Sequence, residues 1–73
     1  MKGGDRMVYG KLLGRIVEVY GTRKAFANDA GYSVQTLREK LRGRSQWDQK
    51  EILKACELLK IPQEDIPVYF FNY

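Results

Sequence analysis

Histidine is absent from this chain, and cysteine occurs once, as Cys56. A lone cysteine excludes an intramolecular disulfide, and without histidine no structural zinc site can be built. The same lack removes Cys–His and Ser–His–Asp catalysis. Proline occurs twice, as Pro62 and Pro67. No apolar run approaches the roughly 18 residues of a membrane span, and no secretory leader is visible. The carboxylates Glu51, Glu57, Glu64 and Asp65 are spaced as a helix cap and a solvent face, with no nucleophile–base pair among them. No catalytic residue, metal, cofactor, small-molecule substrate or membrane partner is therefore expected, and Cys56 reads as a small core hydrophobe.

What is present is charge, unevenly placed. Residues 1–46 hold ten Lys/Arg against four Asp/Glu, a balance of +6, and residues 47–73 hold three against five, a balance of −2. A basic half and a mildly acidic half suggest one side turned toward a polyanion. Seventy-three residues predict a single domain over 1–73, with a core that supplies only about 3–5 kcal/mol.

The chain reads as four to five short helices. Residues 1–10, "MKGGDRMVYG", suggest a flexible start in which Met7, Val8 and Tyr9 touch the body. "KLLGRIVEVY", Lys11 to Tyr20, carries Leu12, Ile16 and Val19 on one helical stripe, with Leu13, Val17 and Tyr20 beside it and Arg15 and Glu18 on the other face. Gly14 suggests a close helix approach, and Gly21 a left-handed cap. Thr22 then caps a short helix, Arg23 to Ala30, with Phe26 and Ala27 inward. Gly31 ends it. Ser33 caps the next helix, Val34 to Leu41 or Arg42, and Gly43 closes that one. Asp48 with Glu51 forms a capping-box variant, and Trp47 with Ile52 a hydrophobic staple. The helix they start runs to about Lys60, with Ile52, Leu53, Cys56 and Leu59 on one face. Pro62 is placed to open a further turn over Gln63 to Ile66, and Pro67 to block its continuation. The aromatic tail, residues 67–73, includes "VYFFNY", a short strand or extended segment that serves as core lid or as dimer contact.

Residues 22–43 meet the demands of a helix-turn-helix. Gly31 supplies the left-handed turn. Ala27, one turn earlier, lets the second helix cross closely. Leu37 and Leu41 anchor that second helix. A projection at about 100° per residue then places Gln35, Arg38, Glu39 and Arg42 away from the core. The start of such a helix enters the major groove. Gln35 suits adenine and Arg38 guanine. Val34 either meets a thymine methyl or packs. Glu39 either accepts from cytosine, orients Arg38 or Arg42, or pairs with a helical neighbour. Arg42 completes the candidate base contacts. Thr22, Arg23 and Lys24 stand where a phosphate meets free N–H groups at a helix start. Ser33, Lys40, Arg44 and Ser45 are further phosphate candidates. Tyr32, at the turn, either packs over the hinge or reaches a phosphate.

The segment "GTRKAFANDAGYSVQTLREKLRGRSQWDQKEILKACELLKIPQEDIPVYFF" resembles the lambda-repressor-like helix-turn-helix domains. It is similar, more narrowly, to small phage and prophage regulators of the Cro/CI type. The resemblance rests on Gly21-Thr22, Phe26-Ala27, Gly31, Ser33, Thr36-Leu37, Lys40-Leu41 and Gly43. It continues through Trp47, Glu51-Ile52, Lys54-Ala55, Glu57-Leu58-Leu59, Ile61-Pro62 and Tyr69-Phe70-Phe71. Two departures are Tyr32, where a small aliphatic is usual, and Pro67, where a helix former or glycine is usual. The resemblance implies an all-α domain that binds double-stranded operator DNA as a transcriptional regulator, probing the groove with the second motif helix. A Cro-like repressor, acting in the cytoplasm of a bacterial or phage-infected cell, is the leading expectation. A homodimer would suit paired half-sites. The rival is a protein-binding module on the same scaffold, an antitoxin or anti-repressor.

Overall fold

The computed structural model describes residues 9–71. Among them there are helices and turns and no strand. Four α-helices follow in order: α1 (Gly10–Tyr20), α2 (Arg23–Ala30), α3 (Val34–Leu41) and α4 (Gln49–Leu59). A 3-10 turn (Gln63–Asp65) and a wide, π-type turn (Pro67–Phe71) complete the chain. Residues 1–8 of the predicted flexible start, Met7 and Val8 among them, and Asn72 and Tyr73 of the tail lie outside the described residues.

Each helix contributes to one core. Leu12 and Ile16 come from α1, Phe26 and Ala27 from α2, Leu37 and Leu41 from α3, and Ala55, Cys56 and Leu59 from α4; Ile61 and Phe70 close it. Burial raises the Cys56 thiol pKa above its usual value, as befits an inert core side chain.

The apolar stripes are narrower than the sequence predicts. Val17, Val19 and Leu53 are exposed, because helical periodicity marks a face but not how much of it neighbouring elements cover. Gly14 faces open space, so no close helix approach depends on it. Arg15 departs further from expectation. Its Nε donates to Leu59 O at 2.9 Å and its Nη2 to Lys60 O at 3.3 Å. A guanidinium from α1 thus satisfies carbonyls that the end of α4 leaves open.

The tail is neither strand nor extended lid. Its residues continue helically after Ile66, with Pro67 opening the wide turn rather than blocking it. A proline in a first helical position gives up an N–H that has no partner within the helix. Pro62, similarly, stands at the cap of the 3-10 turn, one residue ahead of the expected position. The turn buries Phe70, at 1% exposure, and leaves Phe71 outside, at 65%. Phe70 packs edge-on against Trp47 with ring centroids 5.2 Å apart, and Trp47 also meets Tyr9 and Tyr32 edge-on.

Candidate functional site

Two helix starts and two helix ends define the α2–turn–α3 unit. Thr22 Oγ1 accepts from Ala25 N–H at 3.1 Å, and Ser33 Oγ accepts from Thr36 N–H at 3.0 Å. Each hydroxyl satisfies a donor that the first turn leaves open. Both helices then end in a Schellman motif. Gly31, at φ +89°, donates to Asn28 O, and Tyr32 N–H donates to Ala27 O at 2.8 Å. Gly43, at φ +80°, donates to Lys40 O, and Arg44 N–H donates to Glu39 O at 2.9 Å. The positive φ is why glycine stands at both places.

Tyr32 follows the left-handed glycine, the position from which this motif sends an apolar group back onto its own helix. Its ring packs against the core and lies edge-on to Trp47. Burial first, then the charges of Glu51 and Asp48, push its hydroxyl pKa up to about 12. Tyr32 therefore covers the hinge.

Lys40 corrects the predicted phosphate set. It is buried, at 4% exposure, with its ammonium turned inward. Nζ donates to Gln46 O at 2.8 Å and to Glu51 Oε1 at 2.9 Å. It also lies 5.4 Å from the ring centroids of both Tyr32 and Trp47. A charge at a surface-looking position has been drawn in by an acid eleven residues away and by two aromatic faces. Glu51 Oε1 serves twice, since Asp48 N–H also donates to it at 2.9 Å to complete the capping box of α4.

The other candidates are placed as follows. Val34, Gln35 and Thr36 form an exposed first turn of α3. Arg38, Glu39 and Arg42 are half-buried on the next turns. Gln35 Nε2 donates to Glu39 Oε2 at 3.4 Å, and Arg44 Nη1 lies 3.9 Å from Glu39 Oε1. Glu39 thus stands between a candidate base reader and a candidate backbone contact. Lys24 is exposed and Arg23 half-buried at the start of α2. The charged groups of Arg23, Lys24 and Arg38 have no hydrogen-bond or ion-pair partner among the described residues. Ser33 Oγ is engaged with Thr36, and Ser45 is half-buried. Sequence reasoning missed Arg15 and the inward role of Lys40; both involve partners distant along the chain.

Among the described residues, no His, Cys, Asp or Glu side chains cluster to hold a metal ion, and no helix is long and apolar enough to cross a membrane. Comparison with curated proteins gives no match. Among solved structures, the chain is similar to the solution structure of the modulator of repression of the temperate bacteriophage TP901-1 from Lactococcus lactis. The two share 43% identity and a TM-score of 0.79, over 96% of this chain and 95% of that one. A likeness of that extent carries the all-α, lambda-repressor-like fold. The family model described as protein of unknown function (DUF739) matches residues 7–73, and the chain belongs to that family.

Proposed function

We propose that this chain is a small phage-type regulator, folded as one domain over residues 1–73, that binds double-stranded DNA with α2–turn–α3 as a helix-turn-helix. The observation that carries the reading is the first turn of α3. It is hydroxyl-capped, anchored from behind by Leu37 and Leu41, and open on its outer side at Val34 and Gln35. Such a turn enters the major groove in this class of domain. Gln35 would read adenine, Arg38 guanine, and Val34 a thymine methyl, with Arg42 at the flank. Thr22, Arg23, Lys24, Ser33, Arg44 and Ser45 would hold phosphates. Lys40 leaves that set. Glu39 acts by holding Gln35 and Arg44 rather than by reading a base. The setting is the cytoplasm of a bacterial or phage-infected cell, and a palindromic site would take two copies.

A second reading rests on two observations. The similar phage protein is named a modulator of repression, and the α3 face carries an exposed valine and a carboxylate besides its cations. On that reading the same face meets a protein of the repression apparatus.

Selection of duplexes from a random pool separates the two. A DNA-binding regulator enriches one sequence over scrambled duplex by about 10³-fold or more. Arg38→Ala then costs about 1–3 kcal/mol and relaxes selectivity at one base pair, whereas Lys24→Ala weakens all duplexes alike and flattens the salt slope by about one. A pool that emerges without a preferred sequence removes the DNA reading and leaves the protein one.

A further inference from the structure

The apolar stripe of α4 is wider than the fold covers. Ala55, Cys56 and Leu59 enter the core, while Leu53 is left 51% exposed. It borders an open cleft of about 580 Å³ lined by Lys50, Leu53, Lys54, Cys56, Glu57 and Ile61. Cys56 and Ile61 are buried and form its apolar floor. Lys50 and Lys54 are exposed and one turn apart on the same face of α4, next to Leu53. Neither ammonium has a hydrogen-bond or ion-pair partner among the described residues. Glu57 is the single carboxylate of the lining. This patch is locally basic although residues 47–73 are net acidic. It shares no residue with the α2–turn–α3 face.

The geometry points to this cleft as a docking site for an acidic amphipathic helix of a partner protein. An apolar side chain of that helix enters the cleft against Leu53 and Ile61. Carboxylates one turn apart along one edge of that helix meet Lys50 and Lys54 in charge-assisted hydrogen bonds. Charge complementarity fixes the partner's sign, since a basic helix would set like charges against two unpaired ammoniums. A nucleic acid would neutralise the lysines but leave Leu53 in water. The surface is independent of what α3 contacts.

The test is a titration of the ¹⁵N-labelled full chain with three probes. One is a synthetic amphipathic helix with leucines on one face and glutamates flanking them. The second replaces its glutamates by lysines. The third is a short DNA duplex of arbitrary sequence. The acidic helix should shift the amides of residues 50–57 and Ile61 saturably. The double variant Lys50→Glu/Lys54→Glu should weaken that binding at least roughly tenfold, and Leu53→Ala by a smaller factor. All three positions are exposed, and thermal melts establish that the variants fold. The proposal is overturned if the acidic helix leaves these amides unmoved, if the lysine helix binds equally well, if the duplex shifts the same amides, or if charge reversal leaves affinity unchanged.

Discussion

The ends of α2 and α3 are built from the same hydrogen bonds and lead to opposite results. Each has a glycine at positive φ, and each sends the following N–H back to a carbonyl five residues earlier. After Gly31 comes Tyr32, which folds onto the core. After Gly43 comes Arg44, whose side chain is 59% exposed. The backbone motif sets where the chain turns. The residue just past it decides whether the turn becomes core or surface. Lys40 shows that charge alone does not make that decision. It belongs to the same basic run as Arg38, Arg42 and Arg44, and it is the one that Glu51, Tyr32 and Trp47 enclose.

The largest effect is expected at Lys40, whose ammonium lies 5.4 Å from the centroid of the Tyr32 ring. Lys40→Ala leaves Gln46 O and part of the Glu51 carboxylate without their donor. Glu51 retains 26% side-chain exposure and its bond from Asp48, so the loss should be about 2–3 kcal/mol, measured by urea denaturation. A loss below about 1 kcal/mol would mean that the pair is worth no more than a surface ion pair. Next is the direct contrast between the two following residues. Tyr32→Ala should destabilise by about 2 kcal/mol, less than for a fully buried aromatic, while Arg44→Ala stays within about 0.5 kcal/mol. Equal effects would erase the distinction. Gly31→Ala comes third, at about 1–2 kcal/mol. The added Cβ meets nothing within 4 Å, so the cost is conformational. Gly43→Ala should match it.

The mildest test uses pH. Burial pushes the Tyr32 hydroxyl pKa up to about 12 in the fold, against about 10 for an ordinary tyrosine. The unfolded chain therefore releases this proton first, and the fold loses stability as pH rises from about 10 toward 12. Below that window the contribution is fully present. Tyr32→Phe should remove this part of the alkaline fall in melting temperature. If the wild-type and variant curves run parallel above pH 10, the buried hydroxyl is not the cause.

Much of this architecture was legible because its signals are local. Thr22, Ser33 and Asp48 each cap the helix that they precede, and Gly31 and Gly43 sit where a left-handed residue was needed. Leu37 and Leu41 are fully buried at the spacing that marked them as anchors. The outward placement of Gln35 follows from the same spacing, whereas Val34, for which the spacing leaves packing open, is exposed. What could not be read depends on partners far along the chain. Arg15 meets carbonyls 44 and 45 residues away, a pairing no periodicity encodes. Leu53 lies on an apolar stripe, but whether a neighbour covers it depends on how α4 sits in the body. The aromatic and β-branched residues of the tail favour a short strand or extended segment. Phe70 instead fills the core from a widened helical turn.

The double use of Glu51 Oε1 has a consequence for how the molecule breathes. One oxygen completes the start of α4 through Asp48 and holds the end of α3 through Lys40. Both bonds depend on the placement of the same carboxylate, so a motion that displaces Glu51 breaks both. The last turn of α3 and the first turn of α4, joined by the Lys40–Glu51 side-chain pair, should therefore behave as one cooperative unit in native-state hydrogen exchange. The first turn of α3, held by the Ser33 cap and the long Gln35–Glu39 bond, should open at lower free energy than the turn that follows it.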